Sequence, residues 1–342
     1  MFLQRLVFVS SALLAASLAT ASKSEGIHKF WIDKTYENTS KVKNYRALVE
    51  QNHPDGVITT AVQFRQPADF YMQVEQPLDF KGVTFSYQNG QLQYYSPQSN
   101  QALLVKGLAG PSADSAKVQA EDMYWANHEY YQRTFTPSIE VASRISVGVD
   151  LNAEDNEREI QKSQLFIDYD YSLLMKGDFY FRDGSVLSME NKKIDFNLND
   201  FSLPDAQLPA TTQLRSWNLS THALNADQFK KSAVFTPAWP KVESERWKLA
   251  EPGYFFSDQG KDGAAVYYKN SHYFLLMTAE QASPMAATPA GARVKLDNNL
   301  DGQLLQAPSI SSVELQRDGI HYQLLSNIHL EDLLLLARQL SN

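Results

Sequence analysis

One stretch, Ser163 to Leu198, constrains the fold more than any other. Leu165, Ile167 and Tyr169 alternate with Phe166, Asp168 and Asp170. After an Asp170-Tyr171-Ser172 turn, Leu173, Met175, Gly177, Phe179 and Phe181 fall opposite Lys176, Asp178, Tyr180 and Arg182. A period of two sustained this long marks strands with one apolar face and one face in water. Asp183-Gly184 predicts a two-residue hairpin turn with positive φ at both positions. The apolar phase then slips from Leu187 and Met189 to Ile194, Phe196 and Leu198, and a one-residue slip needs a bulge, here between Asn191 and Lys193. The stretch predicts three or four consecutive antiparallel strands in a curved sheet, and the question for function is what its apolar face covers.

Residues 1–21 have the form of a cleavable secretory signal: Arg5, an apolar run from Leu6 to Leu18, then Ala19-Thr20-Ala21 before Ser22. The run is too short for a membrane span. The chain has no cysteine, so neither disulfides nor lipidation of an N-terminal Cys are expected, and stability must come from core packing. Net charge is −8, which argues against nucleic acid and anionic membrane surfaces as partners. The expected location is the periplasm, as a soluble protein.

Ile27 to Gln51 carries apolar residues at loosely helical spacing and predicts a helix ending at Asn52-His53-Pro54-Asp55-Gly56. Alternating segments follow around Ile58–Phe64, Phe70–Val74, Val83–Tyr87 and Leu92–Tyr94, with Asn89-Gly90 as a hairpin turn. Lys117 to Arg133 predicts an aromatic helix containing Met123, Tyr124 and Trp125, and Thr134 to Val149 returns to extended structure. The expected fold is α+β: a strongly curved antiparallel sheet, an unclosed barrel wrapped around helices, followed by a small α+β domain.

Three segments carry a family resemblance: Phe64-Arg65-Gln66-Pro67-Ala68-Asp69-Phe70, Val74-Glu75-Gln76-Pro77, and Tyr87 to Pro97. Together they resemble the outer-membrane lipoprotein carrier superfamily (LolA type). The Ser163–Leu198 stretch is similar also to the periplasmic regulator of the envelope-stress anti-sigma factor (RseB type), on Asp168 to Met175, Arg182 to Gly184 and Ile194 to Asn197. The resemblance covers most of residues 27–204 and implies a half-barrel whose concave apolar face binds acyl chains beneath a helical lid. On the matching positions that face comprises Val62, Phe64, Phe70, Met72, Phe85 and Tyr87, with Leu173, Met175, Phe179 and Phe181 on the closing strands, and the lid comprises Met123, Tyr124 and Trp125. From the residues alone, an apolar sheet face packed on helices is first of all an ordinary core; it is the resemblance that sets the binding reading beside it. One position departs from the carrier: Gln66 stands where the carrier has Arg before the strand proline, and Arg65, one residue earlier, points to the opposite face.

The expected domains are a signal at 1–21, the carrier-like half-barrel at 22–204, a linker at 205–235 rich in Pro, Ala, Gln and Thr at its start, and a small α+β domain at 236–342. Thr236-Pro237-Ala238-Trp239-Pro240 resembles the entry to the regulator's second domain. Short strands are predicted at Gly253–Ser257, Ala264–Lys269, His272–Thr278, Ala292–Leu296, Ser311–Gln316 and Ile320–Leu325, the last two joined by Asp318-Gly319. Leu330, Leu333, Leu334, Ala337 and Leu340 make the apolar stripe of a closing helix.

No nucleophile elbow, P-loop, dinucleotide fingerprint or zinc spacing occurs. The seven histidines, His28, His53, His128, His222, His272, His321 and His329, are scattered. Asp297 to Gly302 copies half a calcium loop, but Pro308 stands where the bidentate Glu belongs, and a polar hairpin turn is the better reading. No cofactor, metal or catalytic residue is expected. Two functions remain: an exported binder of lipid or lipoprotein acyl chains, or a regulatory protein docking on a membrane-bound anti-sigma factor or another envelope protein. A hydrolase assembled from distant residues is the third and least supported alternative.

Overall fold

The computed structural model describes residues 34, 37–53, 56–108, 131–155, 158–233, 238–239, 253–257, 263–269, 273–281, 292–297, 300–306, 310–328 and 330–340. The expected signal at 1–21 and the lid residues Met123, Tyr124 and Trp125 lie outside the described residues. Twelve described strands build one sheet. In chain order they are β1 (Asn44–His53), β2 (Gly56–Arg65), β3 (Asp69–Gln76), β4 (Thr84–Gln88), β5 (Gln91–Ser96), β6 (Gln101–Lys106), β7 (Tyr131–Val141), β8 (Arg144–Ala153), β9 (Ile160–Asp168), β10 (Leu174–Phe181), β11 (Val186–Phe196) and β12 (Gln213–Asn218). Their spatial order is β12-β6-β5-β4-β3-β2-β1-β11-β10-β9-β8-β7. The two ends, β12 and β7, do not pair, so the barrel is unclosed.

The Ser163–Leu198 stretch supplies most of β9 and all of β10 and β11. Its bulge falls at Lys192: Leu48 pairs with Lys193 and Val49 with Asn191, leaving Lys192 unopposed. Leu187 and Asn191 are buried before the slip and Ile194 after it, so the extra residue keeps both halves of β11 facing inward. The Asp183-Gly184 turn differs from expectation. Gly184 has φ +85° and Asp183 is not in the left-handed region. The Gly184 N–H donates to the Phe181 carbonyl and the Phe181 N–H to the Ser185 carbonyl, a three-residue loop with glycine as the left-handed residue.

Three expectations need correction. Residues 44–51, placed in a helix, form most of strand β1; among the described residues of that segment only Lys34 and 37–40 are helical. Tyr45, Ala47 and Gln51 are buried, while Arg46 and Leu48 are exposed. β1 pairs along its length with β2 and with β11, and two ladders of tertiary hydrogen bonds override weak local spacing. Second, Tyr131 to Arg133, expected in the aromatic helix, begin β7. Third, the linker expected at 205–235 contains β12, parallel to β6; helix α1 (Ala226–Ser232), with an Asn225 capping box, follows it where the sequence Asn225–Lys231 is open to a helical turn. Gln88 and Gln93 donate to the carbonyls of Pro204 and Ala206, so the segment ahead of β12 is bound to β4 and β5.

Seven further strands form a second sheet: β13 (Gly253–Phe256), β14 (Gly263–Lys269), β15 (Tyr273–Gln281), β16 (Ala292–Asp297), β17 (Leu300–Gln306), β18 (Ser311–Arg317) and β19 (Ile320–Ser326). Their order is β13-β14-β15-β19-β18-β17-β16. β17 lies in and beyond the half calcium loop: Asp297 pairs with Leu300, so that sequence turns a hairpin. Asp318 and Gly319, with φ +51° and +75°, turn β18 into β19 as expected. Helix α2 (Leu330–Gln339) buries Leu333, Leu334, Leu336 and Ala337.

β15 is buried on both faces. Tyr273, Leu275, Met277 and Ala279 join the helix in one apolar cluster, which also packs on Phe179, Phe181 and Leu187 of the first sheet. Phe274 and Leu276 point the other way, into a second contiguous cluster that includes the inward face of the first sheet. Polar ties reinforce the docking. The Arg338 guanidinium donates to both oxygens of Glu159, and Glu331 accepts from the Tyr131 hydroxyl and pairs with Arg158 at 3.5 Å. Burial pushes the Glu159 carboxyl above its ordinary value, and the opposing pull of Arg338 and Arg182 does not cancel it. The architecture is α+β, and the second sheet is a packing layer against the first.

Candidate functional site

The strand registers align the inward-facing residues of the first sheet into two adjacent rows. In the first, pairing runs Phe196–Tyr45–Phe64–Phe70–Tyr87–Leu92–Val105–Trp217. In the second it runs Ile194–Ala47–Val62–Met72–Phe85–Tyr94–Leu103–Arg215. Each row crosses eight strands, about 34 Å of arc at roughly 4.8 Å per strand. Neighbouring rings touch: Tyr45 stacks on Phe64 at 5.1 Å, and Phe70 meets Phe85 edge-on at 5.3 Å. Burial pushes the Tyr45 phenol up from its ordinary value.

The six face residues expected on the β2–β4 strands are therefore brought together, three in each row. Val62, Phe70, Met72, Phe85 and Tyr87 are buried within the cluster shared with the second sheet, and Phe64 packs against it partly buried. On the closing strands Met175 belongs to the same cluster, with Leu173 packed against it. Phe179 and Phe181 do not join them: they pack on the cluster containing α2. The sheet face is continuous from Met175 to Phe181, but the second sheet and its helix cover its far end with different residues.

At one rim of the rows, near Phe196, Arg144 lies over the rings of Tyr171 and Phe196 at 4.9 and 5.0 Å. Its guanidinium is held by Asp168, with Nη2 to Oδ1 at 3.1 Å, and by Asp170 at 3.1 Å. Gln66 donates to the carbonyls of Thr39 and Ser40, closing the turn before β1, while Arg65 pairs with Asp69 at 2.7 Å on the exposed side. Neither side chain belongs to the two rows.

The other end of the rows is polar. A cavity of about 80 Å³ opens between the sheets, bounded by Tyr94, Leu103, Arg215 and Trp217 on the first sheet and by Thr278, Glu280, Glu314, His321 and Gln323 on the second. His321 stands between two carboxylates, Nδ1 2.8 Å from Glu280 Oε1 and Nε2 3.3 Å from Glu314 Oε2. Gln323 donates to Glu314 at 3.0 Å, and Arg215 reaches across from β12 to Glu280. In the sequence His321 is one of seven scattered histidines. A signal for part of this cluster was available: a two-residue turn at Asp318-Gly319 sets Gln316 opposite His321 and Glu314 opposite Gln323, which brings Glu314 and His321 to one face. Glu280 and Arg215 arrive by long-range pairing and by sheet packing.

No family model matches the chain, and no curated protein does. Among solved structures the chain is similar to the Pseudomonas aeruginosa MucA/MucB complex, at 14% identity over 91% of this chain and 96% of that one, with a TM-score of 0.43. A crystal structure of MucB matches at 11% identity over 89% and 92%, with a TM-score of 0.44. The Mycobacterium tuberculosis lipoprotein LppX matches at 11% identity, 52% of this chain and 99% of that one, with a TM-score of 0.33. Among the described residues no helix is long and apolar enough to cross a membrane.

Proposed function

We propose that the chain is an exported, non-enzymatic binding protein that takes an acyl chain of a lipid or lipoprotein along the inward face of its twelve-stranded sheet. The observation that carries this reading is the pair of unbroken rows, apolar from Phe196 and Ile194 as far as Val105 and Leu103. Each methylene placed there contributes about 0.8 kcal/mol, offset by the cost of parting the side chains that already bury the rows. The carrier-like motifs around Phe64–Phe70 and Tyr87–Pro97 lie on the strands that build the rows, which supports the same reading. The test is native mass spectrometry with lipid extraction on protein exported from cells, together with displacement of a fluorescent fatty acid. Co-purified lipid and saturable displacement are expected; finding neither overturns the proposal.

A second reading, a regulator acting on a membrane-bound anti-sigma factor or another envelope protein, is supported by the cluster common to both sheets. Phe274 and Leu276 pack in the same cluster as the rows, so an occupant of the rows must displace the second sheet, and binding would shift the arrangement of the two. Pull-down from envelope membranes with and without added lipid tests it. Recovery of a membrane protein whose yield changes with lipid is expected, and recovery of none in either condition removes the reading.

A further inference from the structure

Helix α2 meets the first sheet through charge as well as through its apolar stripe. Glu331 and Arg338 are seven residues apart, so both lie on one face of the helix, about 10 Å apart at roughly 1.5 Å per residue. The first sheet answers with the reverse pair, Arg158 and Glu159, directly ahead of β9. Glu331 accepts from the Tyr131 hydroxyl and stands 3.5 Å from Arg158, while Arg338 donates to both oxygens of Glu159. Arg182, in the β10–β11 turn, also reaches Glu159, at 3.3 Å. Two crossed pairs of opposite charge thus fix where the helix sits. Both carboxylates are out of water: Glu159 is 5% exposed and Glu331 8%.

Glu159 is the group through which this contact answers to protons. Its backbone carbonyl accepts the Arg182 N–H at 2.8 Å, which ties it to the first sheet independently of the helix. Docking of α2 therefore brings Arg338 to the carboxylate and takes water from it in one movement. A guanidinium offsets lost hydration only in part: burial outweighs the pull of Arg338 and Arg182, the nearby Asp183 adds to it, and the carboxyl sits above its ordinary value. Docking and protonation accordingly favour each other. The cations tolerate a neutral Glu159. Arg338 also donates to the Leu296 carbonyl of β16, and the Arg182 side chain is 45% exposed, so neither is stranded. The other charges at the contact pair among themselves, Arg158 lying 3.5 Å from Glu331 and 3.6 Å from Asp155.

We propose that this contact is a proton-sensitive latch: α2 closes on the first sheet when Glu159 takes up a proton and is released more readily as Glu159 ionises. The latch sets how easily the second sheet parts from the first, and it holds whatever the rows bind. The test is hydrogen exchange of the full chain, read by mass spectrometry between about pH 5 and pH 8 and corrected for the intrinsic exchange rate at each pH. Peptides from α2 should be less protected than those from β2 and β3, and their protection should fall severalfold as pH rises. Glu159→Gln, uncharged at every pH, should keep α2 at its acid-side protection throughout. Equal protection of α2 and β2–β3 at every pH means that the helix leaves only when the whole chain unfolds, and overturns the latch. A variant that retains the wild-type profile places the titration elsewhere and overturns the role of Glu159. If the variant does not fold, the wild-type profile decides alone: protection of α2 that is flat or rises with pH overturns the proposal.

Discussion

Replacing Asp168 with Ala should destabilise the protein by about 4 kcal/mol. The Asp168 side chain is fully buried, and its carboxylate holds the Arg144 guanidinium. It also accepts the backbone N–H groups of Asp170 at 3.0 Å and Tyr171 at 2.7 Å, which fixes the β9–β10 turn. Removing one partner of a buried ion pair costs about 3–5 kcal/mol. Asp170, 3.1 Å from Arg144, remains as a second anion, which puts the pair's loss at the low end. The two turn N–H groups add about 1 kcal/mol between them, because water reaches the turn beside the exposed Tyr169. Asp168→Asn keeps an acceptor for those N–H groups and loses only the charge, so it should cost about half as much. Urea unfolding measures the difference: with a slope of about 3 kcal/mol/M, the Ala variant's midpoint falls by more than 1 M. A loss under about 1 kcal/mol, or equal losses for Asn and Ala, would show that the pair does not anchor the rim.

Met175→Ala, at a fully buried position in the shared cluster, should cost about 2–5 kcal/mol in the same assay, whereas Leu78→Ser, 80% exposed, should change stability by less than about 0.5 kcal/mol. Two glutamates should respond to pH with opposite sign. Glu159 sits above its ordinary value of 4.5 through burial, against the pull of Arg338 and Arg182; its contribution is complete below the unfolded value and is lost as pH rises through the raised folded value. Glu190 sits below 4.5, the attraction of Lys192 and Lys176 outweighing the burial that opposes it; its contribution is present above 4.5 and is lost as pH falls through the lowered value. Melting temperature followed across the acid range should therefore lose a high-pH decline in Glu159→Gln and an acid decline in Glu190→Gln, and the same sign for both would contradict the assignment.

Features carried by contacts between sequence neighbours were legible without coordinates. The period-two faces of β9 to β11, the slip that needs a bulge at Lys192, the Asp318-Gly319 hairpin and the α2 stripe each depend on residues within one or two turns or one hairpin of each other. Their physics is local: side-chain alternation, a φ that favours glycine or a short polar residue, and a 3.6-residue repeat. Because a hairpin also sets its own register, part of the Glu314–His321 pairing followed from the same signal.

Features that depend on distant partners were not legible. Residues 44–51 have spacing that suits a helix weakly, and they become most of strand β1 because β2 and β11 offer hydrogen-bonding edges on both sides. β12 is read as linker until β6, more than a hundred residues earlier, supplies a parallel neighbour and buries Trp217. The apolar face could be foreseen as a pattern, but its cover could not. Phe274 and Leu276 share one buried cluster with the rows, and Phe179 and Phe181 pack on the cluster that holds α2, only because the second sheet packs as a layer against the first. The polar cavity between the sheets exists for the same reason: it forms where two sheet faces, each apolar at one end and polar at the other, are brought together by packing that no local pattern encodes.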